Sequence, residues 1–153
     1  MVKEYDKVQI IPMNKNENET RVEGALRNKV KADFFENALK ETPIYYYHNK
    51  AIDLEQGKKV LALFQYDNRI IAYGIVHECI KAEEKEYIKP ALNDKLLYNG
   101  LLKLEDGTIF TVDDITNEEL NNVLEKKIRF SNVSHILEPK KEEFLELLRI
   151  KSN

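Results

Sequence analysis

The chain has 153 residues, is 42 % hydrophobic and 33 % charged, and carries a formal net charge of −3. That length fits one domain with apolar mass enough for a core, and the dense apolar clusters exclude an intrinsically disordered chain. A single cysteine, Cys79, excludes an intrachain disulfide framework and a cysteine-based zinc site.

The N-terminal Met-Val-Lys-Glu-Tyr-Asp-Lys lacks the apolar stretch of a secretory signal, and the apolar runs are too short for a bilayer. A cytoplasmic protein without membrane association is expected. Charge is unevenly spread. Residues 1–31 carry seven Lys or Arg against five Asp or Glu, residues 82–125 four against eleven, and residues 126–153 seven against four. If the basic ends meet in the fold they form a patch suited to a phosphate backbone. Segregated, solvated faces are the alternative.

Tyr5 to Pro12 alternates, with Val8 and Ile10 against Lys7 and Gln9, and reads as a first strand ended by the proline. Residues 13–28 are polar and rich in Asn and Glu, a long loop of the kind that often carries function. Phe34, Phe35, Ala38 and Leu39 share one face of a short helix, closed by Thr42-Pro43 because proline cannot continue it. Ile44-Tyr45-Tyr46-Tyr47-His48 is a strand by propensity. Lys59–Tyr66 and Arg69–Ile80 flank Asp67-Asn68, a pair suited to a two-residue hairpin turn. That turn sets Phe64 opposite Ile71, Ala62 opposite Tyr73 and Val60 opposite Ile75. Both faces of this hairpin are apolar, so it belongs at the centre of the sheet, covered on both sides. Gly74 allows a bulge or sharp bend.

Leu101–Glu105 and Thr108–Val112 flank Asp106-Gly107 and read as a second hairpin. Thr116, with Glu119 three positions on, predicts a capped helix over 117–124. Ile128-Arg129-Phe130 reads as a last strand. Pro139–Ile150 reads as a C-terminal helix that buries Phe144, Leu147 and Leu148. No repeat or linker divides the chain. One domain over 1–153 is expected, with a core over 5–112 and a helical extension over 113–153 packed on it.

The five glycines, at 24, 57, 74, 100 and 107, make no Gly-rich phosphate loop, which excludes the common nucleotide-binding enzymes. His77 and Cys79 share one side of a strand and would supply two metal ligands, but the sequence offers no third. Ser131 and Ser134 lack a nucleophile-elbow setting, and Cys79 lies in an apolar strand where thiols are inert. Asp113 and Asp114, adjacent on a strand end, point to opposite faces. No metal, cofactor or catalytic residue is assigned. The conspicuous feature left is Tyr45-Tyr46-Tyr47-His48. Tyr45 and Tyr47 face one way, Tyr46 and His48 the other, so one side packs while the other offers polar-tipped rings on which a base stacks. Tyrosines that merely cover a sheet edge are the alternative.

The run from Leu54 to Leu61, with Gly57 before the strand, leads into Arg69 to Val76, with Gly74 inside the next strand. This arrangement resembles the core of PUA-like domains, notably the EVE and ASCH branches, over about residues 5–112. Lys58 stands where an acidic residue is common in that family. The Gly-x-Lys-x-x-Glu-x-Arg signature of ASCH domains is missing, and the chain has no tryptophan for a cage. The resemblance implies an α+β fold, a small mixed or antiparallel barrel-like sheet flanked by short helices. It also implies a nucleic-acid binder, of RNA or DNA, that reads a flipped or modified base between the first loop and helix and the central strands. Carried onto this chain, Tyr45, Tyr46, Tyr47, His48 and Tyr73 would contact the base, while Arg21, Arg27, Lys29 and Lys31 would contact phosphates. Two other readings stand beside it: a module that binds a partner protein through the acidic 82–125 stretch, and a small enzyme on the same scaffold.

Overall fold

The described residues form seven strands, the central ones apolar on both faces: β1 (Lys7–Pro12), β2 (Ile44–Tyr47), β3 (Val60–Tyr66), β4 (Arg69–Tyr87), β5 (Leu97–Leu104), β6 (Phe110–Thr116) and β7 (Ile136–Leu137). The computed structural model describes residues 5–13, 30–47, 54, 56–87, 97–124, 136–137 and 142–152. The strands form one sheet in the order β2-β5-β4-β3-β1-β7, with β6 also paired to β4. β1 runs parallel to β3 and the other pairs are antiparallel. The sheet is therefore mixed, and among the described strands it stays open between β2 and β7: an α+β pseudo-barrel, as expected. The strand expected at Ile128–Phe130 lies outside the described residues.

β3 is buried at all seven positions. Its hairpin with β4 turns at Asp67 and Asn68, both at positive φ (54° and 60°), the tight turn that asparagine and aspartate tolerate. The register differs from the simple one beyond that turn. Gln65 pairs with Ile70, but Phe64 pairs with Ala72, so a bulge absorbs Ile71 and every later pair is displaced by one. Ala62 thus faces Gly74, and Leu61 faces Ile75. Gly74 is needed for close approach: a Cβ there would stand 2.6 Å from Leu104 Cδ2 and 3.3 Å from Ile109 Cγ1.

The second hairpin is not formed. β5 and β6 do not pair with each other; both run antiparallel to β4, β5 along Val76–Tyr87 and β6 along Arg69–Tyr73. Asp106-Gly107 instead makes a small protruding turn between two segments on the same edge of β4. Thr108 holds it: its hydroxyl accepts from the Ile75 amide at 3.1 Å and donates to the Glu105 carbonyl at 2.7 Å. A strand as long as β4 offers one edge to two successive partners, and sequence alone does not distinguish that from a hairpin.

Among the described residues, three helices cover the two faces. Helix α1 is wound with i to i+5 hydrogen bonds over Lys31–Ala38 and ends in an α turn, Leu39–Glu41. It covers the first face, where Phe34, Phe35, Leu39, Tyr45, Phe64 and Leu102 form one core. Phe35 and Tyr45 both pack on Phe64, with ring centroids 5.0 and 5.1 Å away, contacts worth about 0.5–1.5 kcal/mol each beyond area burial. Helices α2 (Asn117–Leu124) and α3 (Glu142–Lys151) cover the second face. Leu120, Leu124, Phe144 and Leu148 meet Val8, Ile10, Leu61, Leu63 and Tyr73 there. The cap of α2 forms as the sequence implied: Glu119 N–H donates to Thr116 Oγ1 and Thr116 N–H to Glu119 Oε1, both at 3.1 Å.

Candidate nucleic-acid interface

β2 lies at one edge of the sheet, antiparallel to β5, with Tyr45 opposite Leu102, Tyr46 opposite Leu101 and Tyr47 opposite Gly100. The alternation of tyrosines is as expected, but their environments separate them. Tyr45 is a core residue, 1 % exposed, and presents no ring face to a ligand. Tyr73 is 3 % exposed on the opposite face of the sheet, where its hydroxyl meets Ser152 Oγ at 3.1 Å. Tyr45 and Tyr73 thus lie in the cores on opposite faces of the sheet: β2 sends Tyr45 under α1, and β4 sends Tyr73 to the side covered by α2 and α3. Tyr46 is partly exposed on the outward side of β2.

Tyr47 is the member of the cluster with unmet chemistry. Its side chain is buried, yet its hydroxyl has no hydrogen-bond partner among the described residues. The phenol crosses the bare Cα of Gly100 toward Ile80 and Cys79; a Cβ on Gly100 would stand 2.7 Å from Tyr47 Cζ and would collide with the hydroxyl and the Ile80 carbonyl. The Cys79 thiol is its neighbour without forming a well-angled hydrogen bond. Burial, reinforced by Cys79, pushes the phenol well above its ordinary range. Burial also pushes the Cys79 thiol up, only partly offset by Tyr47 and by the Lys81 ammonium. Both groups therefore keep their protons at neutral pH. They suit hydrogen bonding to a neutral acceptor better than nucleophilic or base catalysis.

His48, Arg21, Arg27 and Lys29 lie outside the described residues. Lys31 is described: its ammonium is 2.6 Å from Asp114 Oδ1, an ionic contact without good hydrogen-bond angles, and its side chain is only 12 % exposed. In this state it is committed to a carboxylate instead of a phosphate. His77 and Cys79 also part company, His77 exposed and Cys79 packed against the core, because a bulge interrupts β4 between Val76 and Glu78. Among the described residues no three His, Cys, Asp or Glu side chains cluster as a metal site. Part of the acidic stretch is neutralised internally: Glu105 pairs with Lys59, Asp114 with Lys31 and Glu119 with Lys151. No helix among the described residues is long and apolar enough to cross a membrane.

The architecture, an open mixed sheet with helices on both faces, is the α+β arrangement that the PUA-like resemblance implied. It is similar to ASCH from Zymomonas mobilis, with a TM-score of 0.52 and 9 % identity over 96 % of this chain and 97 % of that one. It is also similar to the Pho92 YTH domain, solved in complex with m6A, with a TM-score of 0.51 and 17 % identity over 99 % of this chain and 86 % of that one. Identities this low establish a shared fold and nothing about a shared ligand. No protein-family model and no curated protein matches the sequence.

Proposed function

We propose that this protein is a nucleic-acid-binding module that takes an unpaired, flipped or modified base at the end of β2. Tyr47 supplies a hydrogen bond to the edge of that base from the inward side of β2, and Tyr46 and His48 supply stacking surface on the outward side for a neighbouring base. Arg21, Arg27 and Lys29 hold the phosphates. The observation that carries the reading is the buried Tyr47 hydroxyl, for which the described residues supply no well-formed hydrogen bond, since native interiors leave few such groups unexplained. The fold shared with a domain solved in complex with m6A supports it.

The test is fluorescence-anisotropy binding to single- and double-stranded RNA and DNA, with and without base methylation, at two salt concentrations. Salt-sensitive binding that favours one base form is expected. Absence of binding at low salt removes the reading.

A further inference from the structure

Helix α1 presents two polar side chains to β6, and one winding of the helix allows both. Lys31 contacts Asp114, and Glu36 Oε1 accepts a 2.8 Å hydrogen bond from Thr111 Oγ1. Lys31 and Glu36 are five residues apart. At 3.6 residues per turn an α-helix would set them about 140° apart, on different faces. With i to i+5 hydrogen bonds, five residues make little more than one turn, and the two side chains share a face. The strand is adapted to match. Ile70 pairs with Ile115 and Ala72 with Thr111, so a bulge places extra residues in β6. Thr111 and Asp114, three residues apart, therefore reach the same helix. The Lys31 and Asp114 side chains are 12 % and 25 % exposed, which shields their attraction from salt. Such wide winding is rare, occurs mostly as single turns, and is frequent at functional sites.

We propose that α1 is a two-register switch: contacts to Asp114 and Thr111 hold the wide register, and transfer of Lys31 to an anionic ligand lets the helix rewind as an α-helix. The identity of that anion, a nucleic-acid phosphate, rests on the function proposed above. A phosphate that reaches the Lys31 ammonium competes with Asp114 for it. The two contacts exist in one register and not in the other, which is the differential interaction a switch requires. Rewinding turns Val30 and Lys31 relative to the residues after Phe34 and so redirects the start of the helix.

The Leu39 amide reports the register, because in the wide form it donates to the Phe34 carbonyl. NMR scalar coupling across that hydrogen bond should connect Leu39 nitrogen to the Phe34 carbonyl carbon in the unaltered protein. In the K31M/T111V double variant the coupling is expected to pass to Phe35. Coupling that stays with Phe34 overturns the proposal. If the double variant does not fold, D114N, which keeps shape and removes charge, takes its place. Exchange broadening of the amides over residues 34–39 is then expected, and unaltered spectra overturn the switch. A short single-stranded RNA of mixed sequence, added to the unaltered protein, tests the link to binding. A shift of the Leu39 bond on binding supports it; binding without that shift overturns it. If neither this RNA nor any RNA or DNA of the anisotropy series binds, that counts against the proposed function, and the variants then judge the switch alone.

Discussion

The ring of Tyr47 lies over Gly100, so the buried phenol occupies the space that a side chain on β5 would fill. One residue determines where the other can be. The arrangement also explains why a residue as bulky as tyrosine is tolerated inward at the sheet edge.

G100A should therefore act on Tyr47. The added methyl meets the Ile80 backbone carbonyl as well as the phenol, and backbone cannot swing aside as a flexible side-chain tip does. A loss of about 1–3 kcal/mol of folding stability is expected from overpacking, read by urea denaturation. A stability equal to that of the unaltered protein would mean that the ring does not rest on Gly100.

Y47F should separate folding from binding. An unpartnered buried hydroxyl is a desolvation cost in the free protein, so its removal should raise stability by up to about 1 kcal/mol. The same change should weaken binding of the preferred oligonucleotide about tenfold, the equivalent of one hydrogen bond of ~1.4 kcal/mol. Affinity that is untouched by Y47F would place the base elsewhere.

The cap of α2 gives the protein a component of acid sensitivity. Burial pushes Glu119 up, but the Lys151 ammonium and the Thr116 amide and hydroxyl outweigh it and hold the carboxyl below its ordinary 4.5. A depressed folded-state value means that this contribution is present above pH 4.5 and is lost as pH falls through the lower folded-state value. E119Q should lack that acid-side loss. Denaturation midpoints measured from pH 7 down to the acid limb, for both proteins, check it: parallel curves contradict the assignment.

Charge reversal in the first loop addresses the phosphate-binding role of that segment. R21E, R27E and K29E should each weaken oligonucleotide binding. Each should also lower the slope of log K against log salt by about 0.7–0.9 for every phosphate that is no longer neutralised. Binding and slope unchanged in the triple variant would take this segment out of the interface.

The local features of the fold were legible because each depends on neighbours in sequence. Thr116 and Glu119 are three residues apart and form the cap wherever the helix packs. Asp67-Asn68 dictates its turn, and alternation along residues 44–47 sets which tyrosines share a side. The PUA-like resemblance, resting on Gly57, the β3–β4 hairpin and Gly74, pointed to the right architecture for the same reason.

Tertiary structure decided what depends on register and on which element covers a face. A bulge that absorbs Ile71 leaves no mark in composition, yet it displaces every later pair of the central hairpin. Asp106-Gly107 turns the chain without pairing β5 to β6, because the long edge of β4 accepts both. Periodicity gave Tyr45 and Tyr73 their alternation but not their surroundings; α1 buries the first, and the second lies beneath the opposite layer. Lys31 counts as a free cation in sequence, and only the fold brings Asp114, 83 positions away, to within 2.6 Å of it. Short-range chemistry is written in order along the chain, whereas burial and long-range ion pairs exist only once separate segments share the same space.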